Sequence, residues 1–174
     1  MHALLLLALC LLFALPLAGL AAYTSSKSQS SQGTTIQVNA TNTSPPTWVP
    51  IGEPLDVVFG DKNVFDDSTN LQSTAKEYLA LLRDPGKVQI NLNRVSTDPG
   101  QAALNTSFRA NPPTRLQYLV TLPINTVAGQ TTTGDTYQFL AYVEEFTPEV
   151  RTDKKISSRF TLQVTGDITF VEGS

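Results

Sequence analysis

Along most of the chain, apolar residues alternate with polar ones at a period of two, the signature of strands with one dry face. Ile36 and Val38 mark a first strand over Thr35 to Ala40. Trp48 to Gly60 reads as a second strand region, with Leu55, Val57 and Phe59 on one side and Asp56 and Val58 on the other. Pro50 and Pro54 restrict this region to a sheet edge or to strand ends, because proline donates no ladder hydrogen bond. Val88, Ile90 and Leu92 alternate with Gln89, Asn91 and Asn93, and Leu116 to Pro123 is a further strand block. In Thr136 to Val150, Tyr137, Phe139, Ala141 and Val143 share one face while Leu140 and Tyr142 take the other, which predicts a strand covered on both sides. Ile156 to Val171 places Phe160, Leu162, Val164, Ile168 and Phe170 inside, with Gly166 as a bulge that bends a long strand.

Two stretches change to helical spacing. Thr74 and Glu77 have the T-x-x-E form of a capping box, and Tyr78, Leu79, Leu81 and Leu82 then predict one short apolar helical turn, stopped by Asp84-Pro85-Gly86. The main helix starts at Asp98-Pro99-Gly100-Gln101, where aspartate caps, proline fits the first helical position and glutamine completes the box. It runs to about Arg109 with Ala103, Leu104, Ser107 and Phe108 as its inner stripe, and Asn111-Pro112-Pro113 ends it. Many strands and one main helix predict a mainly β fold, an antiparallel β-sandwich or open barrel with one flanking α-helix.

The 174 residues divide into a leader at 1–22, a polar arm at 23–34 rich in Ser and Gln, and a β domain at 35–174. The leader is almost wholly apolar from residue 3 and admits three readings. It is a signal sequence with a cleavage site at Gly19-Leu20-Ala21, a membrane anchor of roughly the minimum length, or an extension upstream of a true start near Ala21.

Composition narrows the chemistry. The net charge is −3 with no basic run, which argues against tight phosphate binding. His2 is the only histidine and Cys10 the only cysteine, so residues 11–174 contain no imidazole or thiol for nucleophilic pairs, zinc sites or disulfides. Glu144-Glu145 and Asp66-Asp67 are adjacent carboxylates, but neighbours on a strand point to opposite faces and read as surface charge rather than a catalytic pair. Asp61, Asp66 and Asp67 lack the pattern of a calcium loop. No catalytic, cofactor or metal site is expected, and no enzymatic activity.

Ser73-Thr74-Ala75-Lys76-Glu77-Tyr78-Leu79, followed by Leu82, Asp84, Gly86 and Val88, resembles the major tail tube proteins of long-tailed, non-contractile, lambda-like bacteriophages. Trp48 to Glu53, Thr97 to Leu104 and Val164 to Phe170 extend the resemblance, more loosely, over about Thr35 to Phe170. Thr74, Glu77, Tyr78, Leu82 and Gly86 form the core of the matching motif. The resemblance implies a structural virion protein, assembled in the host cytoplasm, whose copies form stacked hexameric rings that conduct DNA through a lumen during ejection. It implies tape-measure and tail-terminator proteins as partners, and no stable membrane partner if the leader is not native. It also implies a ring-locking loop in the 61–72 region, with Asp61, Val64, Phe65, Asp66 and Asp67 as candidate subunit contacts. The competing reading from the leader alone is a secreted or membrane-anchored β-sandwich that binds or adheres.

Overall fold

The computed structural model of the chain describes residues 28–174, so the apolar leader and the first part of the polar arm lie outside the described residues. Nine strands and one helix follow in order. These are β1 (Thr35–Asn39), β2 (Trp48–Pro50), β3 (Pro54–Phe59), β4 (Phe65–Asp67), β5 (Tyr78–Ala80) and β6 (Lys87–Asn93), then α1 (Pro99–Arg109), β7 (Leu116–Thr121), β8 (Thr136–Glu149) and β9 (Ser157–Val171). Seven strands form one sheet in the order β2-β1-β7-β8-β9-β6-β3, every neighbouring pair antiparallel. Strands β4 and β5 make a separate two-stranded ribbon.

The edges of the seven-stranded sheet are β2 and β3, which are consecutive in the chain and joined by Ile51, Gly52 and Glu53 alone. Four peptide steps span at most roughly 14 Å, so two opposite edges must lie close together and the sheet must roll. The aromatic contacts show the roll: Phe59 on edge strand β3 meets Phe139 on central strand β8 at 5.9 Å and Tyr137 at 5.1 Å. The fold is thus the open barrel of the predicted pair, with α1 packed on β8, β2 and β1.

The core fills the inside of the roll. Ile36, Val38, Val88, Ile90, Leu92, Ala141, Phe160 and Leu162 are buried on the period-two positions that the sequence marks as dry, and Tyr118 and Val120 of β7 are buried with them. Leu104 of α1 joins them, and Phe108 packs edge-on against Phe146 at 6.2 Å. Gly166, with φ of +78°, lies where β9 slips two residues against β8, so the expected bulge is present. The 124–135 segment is tied to the C-terminus, with the Thr131, Thr132 and Thr133 N–H groups donating to the Ser174 carbonyl oxygen at 2.9, 2.7 and 3.1 Å.

Several expectations are corrected. No helix forms over 74–82; Tyr78–Ala80 is strand β5, because pairing with β4 supplies hydrogen bonds that a single helical turn cannot retain in water. Gln101 does not close a capping box. Asp98 caps as expected, accepting from the Gln101 N–H at 2.7 Å, but the Gln101 side chain turns away to bind other segments. The Trp48–Gly60 region is two strands at opposite edges, and a register slip between Pro54 and Asp56 leaves Leu55 exposed rather than inward. Phe170 is half exposed at the end of β9, and Tyr142 stays open on the outer face of β8, so β8 is not covered on both sides within one chain.

Candidate assembly interface

Strands β3 and β6 do not end at the barrel. Beyond Phe59 the Gly60 N–H donates to the Lys87 carbonyl at 2.9 Å, Lys62 and Asp84 exchange backbone bonds at 3.0 and 2.9 Å, and Leu81 N–H donates to the Val64 carbonyl at 2.8 Å. The ladder then runs into Phe65–Ala80, Asp66–Leu79 and Asp67–Tyr78. Residues 61–84 are therefore one hairpin arm. Its outgoing strand, at about 3.3 Å per residue, projects roughly 20 Å from the sheet.

The root of this arm is locally constrained. Between Phe59–Val88 and Phe65–Ala80 the pairing slips by two residues, one taken up at Pro85-Gly86 and the other at Leu82-Arg83. Gly86 has φ of +64°, and a Cβ there would stand 2.3 Å from the Gly60 carbonyl oxygen, so both conformation and contact require glycine. The Asp84 carboxylate accepts from the Gly86 N–H at 2.9 Å and pairs with Lys62 at 3.3 Å. The Gly86 hydrogen bond, and secondarily Lys62, holds the Asp84 carboxyl below the usual carboxylate range. The Arg83 guanidinium forks onto both oxygens of Asp61, which raises its pKa further. At the tip, Asn70 and Ser73 close a turn, Thr69 bonds across to Glu77, and the Asp67 carboxylate accepts from the Thr69 N–H at 3.0 Å and lies 3.4 Å from Lys76.

Opposed and alternating positions sort the arm into two faces. Phe65, Tyr78 and Leu82 stand on one, and Val64, Leu79 and Leu81 on the other. Phe65, Tyr78 and Leu79 are 59–60% exposed and Leu82 is 89% exposed. A two-stranded ribbon with apolar side chains on both faces has no core of its own, and a patch of this kind marks an interaction surface.

Asp61, Val64, Phe65, Asp66 and Asp67 occupy the outgoing strand of the arm, Thr74 and Glu77 its tip, Tyr78 and Leu82 the returning strand, and Gly86 its root. Two groups that the sequence presents separately, a polar loop and a helical motif, are the two sides of one element. The helical reading hid the role of Arg83 and Lys62. The near-mirror charges of Asp61-Lys62 and Arg83-Asp84 are the sequence signal for the pairing. Among the described residues no group of three or more His, Cys, Asp or Glu side chains could hold a metal ion, and no helix is long and apolar enough to cross a membrane.

The family model described as phage tail tube, TTP, lambda-like, matches residues 27–173. The chain belongs to the lambda-like phage tail tube family. As a tail tube protein it is a structural subunit of the virion tail that assembles with its own kind. Its fold is similar to that of the SPP1 tail tube, with a TM-score of 0.61 and 14% identity over 84% of this chain and 80% of that one. A chain in the virion of the native gene transfer agent particle is similar at a TM-score of 0.62 and 12% identity, covering 83% of this chain and 99% of its own length. One in the anti-feeding prophage baseplate gives 0.64 and 10% identity over 84% and 97%. At these identities the likeness shows the tail tube fold alone. No curated protein matches the chain.

Proposed function

We propose that this tail tube subunit closes into rings of about six copies, that the rings stack into a tube, and that DNA passes through its lumen during ejection without specific binding. The exposed apolar arm carries this reading. Phe65, Leu79 and Leu82 stay in water in the single chain, and assembly is the event that removes them from it. Asp61, Val64, Phe65, Asp66 and Asp67 supply contacts between copies, and Thr74, Glu77, Tyr78, Leu82 and Gly86 shape the arm that presents them. The outward positions of β6 and β9 carry Gln89, Asn91, Gln163 and Thr165 beside two cations, Lys87, which pairs with Glu144, and Arg159, which donates to Asn91, so the face is polar with its lysine charge countered, as suits a lumen that does not retain phosphate.

The solved relatives support the geometry: the gene transfer agent tail has C6 symmetry, and the anti-feeding prophage baseplate is 6-fold symmetrised. A similar chain belongs to a sheath/tube terminator of an extracellular contractile injection system, at a TM-score of 0.52, which supports a terminator protein as partner. A tape-measure protein within the lumen and assembly in the host cytoplasm complete the proposal. The test is negative-stain electron microscopy of the purified full chain, beside the chain begun at Ala22, over a range of concentrations. Rings or tubes with a central hole are expected from both. A chain that is exported and stays monomeric at every concentration would overturn the reading.

A further inference from the structure

The arm has a complementary surface on the same molecule. Where the sheet rolls, its two edges do not meet. β2 covers only Gln37 to Asn39 of β1, and β3 pairs with β6 alone. The result is an open groove of about 480 Å³ along the free edge of β3, lined by the apolar residues Ile36, Leu55, Val57, Phe59, Val120 and Leu122 and by the polar 31–34 segment. Leu55, pushed out by the register slip, stands 59% exposed on its rim. More of the groove wall is apolar than polar, and the β3 edge leaves backbone N–H and C=O groups without ladder partners.

Two unlike apolar surfaces on one chain, a projecting arm and a groove, define a head-to-tail contact. Such a contact leaves a free arm and a free groove after every addition, so it propagates until a ring closes. A self-complementary contact would stop at a dimer. The arm and the groove both emanate from β3, but the arm leaves beyond Phe59 and runs away from the sheet edge that borders the groove. Its roughly 20 Å reach therefore carries its side chains to another copy. We infer that the arm of one copy docks in the β1/β3 groove of the next, the leucines of one arm face filling the apolar cleft and the extended backbone of the arm lying along the unpaired edge of β3. The inference rests on the tube reading and adds to it the receptor for the arm.

Thiols test the pairing directly. Leu79→Cys and Leu82→Cys place a sulfur on either face of the arm, and Leu55→Cys places one on the groove rim, each in a chain that also carries Cys10→Ser. All three positions are exposed, so the substitutions spare the core. An arm variant is mixed with the groove variant under mild oxidation and resolved by mass spectrometry under non-reducing conditions. The expected product is a one-to-one covalent heterodimer, formed in the mixture by at least one of the two arm thiols and absent when either variant is oxidised alone. Rings or tubes that form without any heterodimer would overturn the docking site and leave the tube reading intact. A single chain carrying both Leu55→Cys and Leu82→Cys that closes only onto itself would also overturn it. Chains that neither assemble nor cross-link would overturn the tube reading together with the docking site.

Discussion

The Gln101 side-chain amide donates to the carbonyl of Gly52 at 3.0 Å and thereby fixes the short link between the two edge strands. The same amide group donates to the Asn93 carbonyl at 2.9 Å, and its oxygen accepts from the Val95 N–H at 3.0 Å. Asp98 completes the clasp by accepting from the Gly52 N–H at 3.1 Å. The start of α1 therefore ties the β2–β3 link to the end of β6 and sets how far the sheet rolls. Gln101 is 1% exposed, so its partners depend on it rather than on water.

Gln101→Ala leaves the Gly52 and Asn93 carbonyls and the Val95 N–H without this partner in a site closed to solvent. At about 1–3 kcal/mol for each unsatisfied group, partly relieved by relaxation, a loss of about 3 kcal/mol is expected. Thermal unfolding followed by circular dichroism should show a Tm lower by roughly 6–12 °C. A change of under about 2 °C would mean that the clasp is not a main constraint on the roll.

Gly86→Ala meets two obstacles, a left-handed φ of +64° and a Cβ 2.3 Å from the Gly60 carbonyl oxygen. The cost should be about 1–3 kcal/mol, read as a lower urea midpoint at constant m. Gly129→Ala shares a positive φ but meets nothing within 4 Å, and should cost less. Equal losses at the two sites would show that the close approach at the arm root contributes nothing.

Phe65→Ser with Leu82→Ser touches only exposed arm side chains. Stability of the single chain should change by no more than about 0.5 kcal/mol per site, whereas ring and tube formation should fail. Unchanged tubes under the electron microscope would remove the arm from the assembly.

The arm root should respond to acid with a defined sign. The Asp84 carboxyl titrates below its ordinary value of 3.8, chiefly because it accepts the Gly86 N–H and also because Lys62 faces it. A carboxyl depressed in the folded state stabilises that state fully above the unfolded pKa, and the contribution is lost as pH falls through the folded value. The Gly86 amide resonance should therefore titrate with a midpoint below 3.8. Asp84→Asn should abolish this titration, and a midpoint at or above 3.8 would contradict the hydrogen bond.

Much of the barrel was written in the sequence because its physics is local. The buried residues Val88, Ile90 and Leu92 follow period-two alternation, and α1 follows from Asp98, Pro99 and the stripe of Leu104 and Ser107. Local readings failed where long-range pairing competes with them. Tyr78, Leu79, Leu81 and Leu82 have helical spacing, yet Tyr78 to Ala80 form a strand and Leu81 continues its ladder, because Val64 to Asp67, earlier in the chain, offer the pairing. Leu55 alternates as a core residue, yet a slip against β6 turns it out to the groove. Gln101 reads as a capping residue, yet its amide goes to Gly52 and Asn93 because the rolled sheet brings those carbonyls to it.

The sequence by itself determined the class of the fold, the strand faces, the main helix, the absence of imidazole and thiol chemistry beyond residue 10 and the resemblance to tail tube proteins. Only the tertiary structure decided that the edges β2 and β3 nearly meet, that residues 61–84 form a single projecting arm and that an apolar groove lies open beside β3. Alternation reports which face of a strand is dry. Which strand becomes its neighbour, and which edge is left unpaired, depends on contacts between residues far apart in the chain, and these exist only once the sheet has rolled.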